Sequence, residues 1–129
     1  MLKELIWMAD TILWMDPVVR TLHEGAVATG AGETFDLGCK YASVNVQIQG
    51  VGGTEEFTFK GSVDGENYVN LEGVNITNGT KGATAAANGI YSIPVYGIRS
   101  MYVDYTTRDT GTVTITAVAI PVGVTPQYS

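Results

Sequence analysis

One cysteine, one histidine and only seven lysines and arginines stand in a chain of 129 residues, and each scarcity closes off a class of function. Cys39, alone, can form no internal disulfide, so stability has to come from packing or assembly, and a lone cysteine fits a cytosolic site of synthesis. The basic residues are scattered singly against thirteen acidic ones, for a net charge of −6. Nucleic-acid binding needs a basic face, and none is present. His23 and Cys39 could form a nucleophilic dyad only with an orienting third group and a glycine-rich oxyanion site, and nothing in the sequence marks either. A lone histidine beside a strand reads as a surface or capping residue, and a lone cysteine as a small buried hydrophobe. No catalytic residue, metal ligand or cofactor is assigned, and the chain reads as non-enzymatic. With 45% hydrophobic and 16% charged residues it is too apolar for disorder and long enough for one core.

Long hydrophobic runs are also missing, with one partial exception at the front. Leu5-Ile6-Trp7-Met8 is echoed seven residues later by Ile12-Leu13-Trp14-Met15. Seven residues are nearly two helical turns, so the two blocks would stack on the same side, and four consecutive apolar positions cover the circumference. Lys3, Glu4, Asp10 and Thr11 form only a polar stripe, and Pro17 ends the pattern. The run is too short for a membrane span and carries Asp10. Asp10 and Asp16 count against a secretory signal, although Ala26-Val27-Ala28 has the form of a cleavage site. Residues 1–17 are therefore expected to be a docking segment, a short apolar helix or arm buried against its own domain or a partner. Residues 18–129 form the single domain.

Past Pro17 the period is two. Ala42, Val44, Val46 and Ile48 share one face of a strand over 41–49, with Ser43, Asn45, Gln47 and Gln49 on the other. Phe57, Phe59, Gly61 and Val63 alternate with polar residues, Asp64-Gly65 offers a tight hairpin, and Glu66 to Leu71 returns. Met101, Val103 and Tyr105 alternate in another strand, and Val113, Ile115, Ala117 and Ala119 in the next, joined around Asp109-Thr110-Gly111. Weaker strands are expected at 18–23, 33–37, 74–77 and 90–96. About eight short strands, with no helical pattern after Pro17, predict an antiparallel β-sandwich of immunoglobulin-like or jelly-roll type. The small-residue run from Asn78 to Gly89 reads as a long, exposed, mobile loop. The last strand, Val118-Ala119-Ile120-Pro121-Val122, is apolar on both faces and should be covered on both sides, which adds Val118 and Ile120 to the docking residues.

Asp64-Gly65-Glu66-Asn67 resembles part of a calcium loop, but such loops need several more oxygens, and a turn explains it better. Asn75-Ile76-Thr77 and Asn78-Gly79-Thr80 match the glycosylation tripeptide, a pattern frequent by chance. Tyr68, Tyr91 and Tyr102, in or beside strands, could face a sugar, since aromatic faces stack on carbohydrate CH groups. Half-buried sheet tyrosines serve equally well as core-rim residues.

The hairpin from Phe57 through Ser62-Val63-Asp64-Gly65-Glu66-Asn67-Tyr68 to Leu71, followed by Gly97-Ile98-Arg99-Ser100-Met101-Tyr102-Val103 and Gly111-Thr112-Val113-Thr114-Ile115, resembles small virion proteins of tailed bacteriophages. The likeness covers roughly residues 40–120. It implies a β-sandwich encoded among head genes, a capsid-decoration, head-fibre or auxiliary structural protein. Its partners would be further copies of itself and a major capsid or other virion protein, with no nucleic acid or membrane, and its place would be the virion. The same hairpin and Arg99 strand are similar to discoidin-like carbohydrate-binding modules, which would make a glycan the partner. The chain departs from those modules in having Tyr68 where tryptophan is usual and in lacking their bracketing cysteines.

Overall fold

The computed structural model of the protein describes residues 17–122, and these form eleven β-strands and no helix. The eight docking residues expected between Leu5 and Met15 lie outside the described residues. Strands β1 (Val18–Ala26), β3 (Tyr41–Gln49), β6 (Gly73–Asn75), β7 (Lys81–Gly82), β9 (Gly89–Pro94) and β11 (Val113–Pro121) make one antiparallel sheet in the order β1-β11-β3-β9-β6-β7. A second sheet runs β2-β10-β4-β5, from Phe35–Asp36, Ser100–Thr107, Glu56–Ser62 and Val69–Asn70, with β8 (Thr84–Ala85) also paired to β4.

The alternations select the buried face as expected, except along β4, where Thr58 and Ser62 are buried as well and Val63, beyond the strand's end, is exposed. Val44, Val46 and Ile48 from β3, Met101, Val103 and Tyr105 from β10, and Val113, Ile115, Ala117 and Ala119 from β11 join Phe57 and Phe59 in one core between the sheets. Removing each large side chain from water is worth about 1.5–3 kcal/mol, so the shared interior fixes which face of every long strand turns inward.

Several expected connections differ. β10 and β11 are not a hairpin: β10 pairs with β4 and β2, whereas β11 sits between β1 and β3 in the other sheet. Alternation identifies the buried face and is silent about the hydrogen-bonded neighbour, so the segment around Asp109 is an arch from sheet to sheet. The strand after Asp64-Gly65 shrinks to Val69–Asn70, paired with Gly61 and Lys60, which leaves a six-residue loop in place of a tight hairpin. The run from Asn78 to Gly89 is not a free tip. It contains β7 and β8, Ala85 is buried, and the Ala83 carbonyl accepts from the Phe59 amide at 2.9 Å.

The domain therefore has two unlike ends. At one, the arches β3–β4 and β10–β11 cross between sheets. At the other, β1 begins and β11 finishes side by side, with Val18 opposite Ala119 and Val19 opposite Val118.

Candidate functional site

At the terminal end, β11 turns its alternate residues outward. Val118 lies between Val19 of β1 and Asn45 of β3, and Ile120 lies opposite Ser43. Val19 is 59% exposed, and Val118 and Ile120 are half-buried. The strand expected to be covered on both faces is covered by the described residues on one. Its outer side presents an apolar corner beside the polar row of Ser43, Asn45 and Ser92. Pro17 and Val122, the first and last of the described residues, both lie at this end.

The arch end is built from buried charge. Glu55 precedes β4 and is fully buried; its Oε1 accepts the Gly52 and Gly53 amides at 3.0 and 2.7 Å, and its Oε2 accepts the Gly111 amide of the other arch. Burial alone would push the carboxyl up, but these backbone N–H groups together outweigh it and hold Glu55 below the ordinary carboxylate range. Asp109 answers from the second arch, accepting Thr54 N at 2.9 Å and Thr54 Oγ1 at 3.2 Å. Two carboxylates thus tie together the two crossovers. Tyr105, fully buried nearby, has a hydroxyl with no hydrogen-bond partner among the described residues, and burial, with Glu55 and Asp109 adding to it, raises the phenol above its usual value.

His23 and Cys39 are placed opposite to expectation. His23 is buried, its Nε2 donates to the Val103 carbonyl at 2.7 Å, and its ring meets Tyr105 edge-on at 6.1 Å. A bulge between Thr21 and His23 turns it inward, where it bridges the sheets. Cys39 is exposed at φ 62°, second of two left-handed residues after Gly38, with the Lys40 amide returning to Leu37 O, and its Sγ lies 3.6 Å from Gly97 O. The turn between β2 and β3 requires that backbone and places the thiol at the surface. The two side chains have different partners and form no dyad.

Of the three tyrosines, Tyr68 and Tyr102 are brought together. They lie on the five-stranded sheet with ring centroids 4.9 Å apart, Tyr68 Oη shares a hydrogen bond with Ser100 Oγ at 2.7 Å, and Tyr102 pairs across to Lys60. Burial, then Asp104 and Tyr68, push the Tyr102 phenol up. Tyr91 is not with them. It is 6% exposed, packs on Phe59 at 5.7 Å and donates its hydroxyl to Ala87 O.

The turn motifs are consumed by their own backbone. Asp64 Oδ1 accepts Glu66 N, Asn67 N and Ser62 Oγ, and Oδ2 accepts Asn67 Nδ2; the Asn67 amides chiefly hold the carboxyl far below its ordinary value. Asn75 and Asn78 each accept the amide two residues on, so both tripeptides are Asx turns. Among the described residues no group of three His, Cys, Asp or Glu is gathered to hold a metal, and no helix is long and apolar enough to cross a membrane. Glu55, the most constrained polar residue, escaped the sequence reading. Its one signal is the Gly52-Gly53 pair just before it, which places bare amides within reach of a carboxylate.

Residues 16–119 match the XepA family, and the chain belongs to it. Among solved structures, the chain is similar to the SPBc2 prophage-derived protein YomS, with a TM-score of 0.73 and 24% identity over 81% of this chain and 92% of that one. It is also similar to the PBSX exported protein XepA, with a TM-score of 0.76 and 16% identity over 81% of this chain. It spans 37% of that longer protein. At these identities the likeness establishes the fold. No curated protein matches the chain.

Proposed function

We propose that this XepA-family chain is a non-enzymatic structural component of a phage virion, a capsid-decoration or auxiliary head protein made in the host cytoplasm. It acts through contacts with its own copies and with a capsid protein. The observation that carries the reading is the apolar corner of Val19, Val118 and Ile120, where the apolar residues 1–16 join the domain. A large apolar side chain fully buried contributes about 1.5–3 kcal/mol, so a few from the corner and the front segment suffice for stable attachment. One of the structural neighbours is described as prophage-derived, which supports the phage setting. The other is described as exported, so the measurement must be association with particles and not release from cells.

The test is co-sedimentation with capsid shells, together with the solution mass of the full chain. Val118→Thr and Ile120→Thr preserve β-branching while removing apolar surface, and should weaken association without unfolding the domain. Attachment by apolar burial should persist as salt rises. A full-length protein that is monomeric and does not sediment with shells would end this reading.

The second reading, an adhesion module of discoidin-like character, is favoured by the Tyr68–Tyr102 pair, which sets two aromatic rings beside Lys60 and Asp104. Selective binding on a glycan array that Tyr102→Ala abolishes, with no shell association, is the outcome that selects it.

A further inference from the structure

A cavity of about 320 Å3 opens where β6, β7 and β8 meet β9, far along the six-stranded sheet from the apolar corner. Asn75, Asn78, Thr80, Lys81 and Thr84 stand around it, and Tyr91 contributes to its wall. Its shape is held from within: Ala85 is anchored in the core, the Tyr91 hydroxyl is tied to Ala87 O, and two successive Asx turns fix the asparagines.

The hydrogen-bond inventory of this cavity is one-sided. Asn75 Oδ1 is occupied by the Thr77 amide and Asn78 Oδ1 by the Thr80 amide, both at 2.9 Å. Because a backbone N–H faces each carboxamide oxygen, the orientation of both amides is determined, and what each has left is chiefly its NH2, with one lone pair on an oxygen already engaged by its own turn. Three of the main-chain acceptors are likewise taken: Asn75 O by Gly79 N, Thr80 O by Asn75 N, and Ala87 O by the Tyr91 hydroxyl. Among the described residues, two amide NH2 groups and the Lys81 ammonium remain as donors, with the hydroxyls of Thr80 and Thr84 able to donate or accept. No carboxylate lines the cavity, although the chain as a whole carries −6. A concave surface with donors in surplus and one positive charge is complementary to a small ligand rich in acceptors and negatively charged.

We propose that this cavity binds a compact oxyanion, the carboxylate of an acidic sugar or a phosphate group, with Lys81 supplying the charge and the Asn75 and Asn78 amides the directional bonds. The site is separate from the apolar corner and from the Tyr68–Tyr102 pair, so it stands whether or not the chain decorates a capsid. An open site with a single ammonium sets affinity in the millimolar range.

The experiment is an NMR titration of the 15N-labelled full chain at constant ionic strength with sodium glucuronate, inorganic phosphate and glucose. Saturable shifts are expected at Asn75, Asn78, Thr80 and Lys81 with an anion and not with glucose. Tighter binding of glucuronate assigns the site to acidic sugars, and tighter binding of phosphate assigns it to phosphoryl groups. Lys81→Gln should weaken binding by about fivefold, whereas Lys60→Gln, on the other sheet, should leave it unchanged. Absence of saturation by about 50 mM, equal response to glucose, or equal binding by Lys81→Gln would each overturn the proposal.

Discussion

The two ends of this domain are held by opposite means. At the arch end, polar groups are drawn inside: the Glu55 carboxylate is fully buried and each of its oxygens accepts backbone N–H groups. At the terminal end, apolar groups are left outside: Val19, Val118 and Ile120 face outward where the chain enters and leaves. A buried charge with all its partners in place is costly to disturb, because removing a partner exposes the whole desolvation penalty. An exposed apolar corner costs the monomer little and becomes useful only when covered. One end specifies the fold, and the other leaves apolar surface uncovered by the described residues.

The largest effect that would break this contrast lies at Gly50, between β3 and the first arch. Its φ of 91° and the approach of the Thr112 carbonyl leave no room for a Cβ. Gly50→Ala should cost about 2–5 kcal/mol, combining backbone strain with overpacking, and separate the arches. Urea unfolding measures it. A change comparable to that of Ile120→Thr at the other end would show that the arches carry no special share of stability.

Glu55→Gln comes next and sharpens the electrostatic half of the comparison. An amide has one accepting oxygen, so its NH2 would face either the Gly52–Gly53 pair or Gly111, donor against donor. The same logic governs acid. Glu55 and Asp64 both titrate below their ordinary values in the folded protein, so each stabilises the fold above its unfolded pKa, and that contribution is lost as pH falls through the folded value. The domain should weaken from about pH 5 downward. Glu55→Gln should flatten part of that slope, and a wild-type slope in the variant would remove Glu55 as its cause.

Gly65→Val acts in the Asp64 loop, near the terminal end. The glycine has φ 80°, and a β-branched residue there should cost about 1–3 kcal/mol. Chelator should leave the melting temperature unchanged, since every Asp64 contact is internal. A chelator-induced drop would revive the loop as a metal site.

How far the sequence could be read follows from which interactions repeat along it. Burial repeats every second residue, so the inward faces of β3, β10 and β11 were legible from Val44, Val103 and Ile115 alone. Pairing does not repeat: Tyr105 and Val113 point into one core from different sheets, and the pattern is the same as for a hairpin. The Asp64-Gly65 turn was legible as a turn, though its length depended on the many acceptors Asp64 satisfies. Tyr68, Tyr91 and Tyr102 look alike in sequence, and only the topology puts two on an outer face and one against Phe59. Glu55 left only the faint signal of Gly52-Gly53, and Asn75 and Asn78 only that of two tripeptides, because their partners are backbone amides, which every residue supplies.

The smallest effect expected is a gain, and it lies at Cys39. A residue with a Cβ held at φ 62° carries about 1–2 kcal/mol of backbone cost relative to the right-handed region, and cysteine has no local hydrogen bond to offset it. Asparagine tolerates that conformation because its short amide bonds to neighbouring backbone, and it is a favoured partner for the preceding Gly38 in a turn of two left-handed residues. The thiol gives up only a 3.6 Å contact with Gly97 O. Cys39→Asn should therefore raise stability by about 0.5–1 kcal/mol, seen as a higher urea midpoint with an unchanged slope. Such a gain would show that the terminal end retains strain that the fold does not need, whereas an unchanged or lower midpoint would mean that the thiol contact holds the β2–β3 turn against its neighbour. The arch end offers no comparable improvement, since every substitution there has to fit beside a buried carboxylate whose acceptors are already in use.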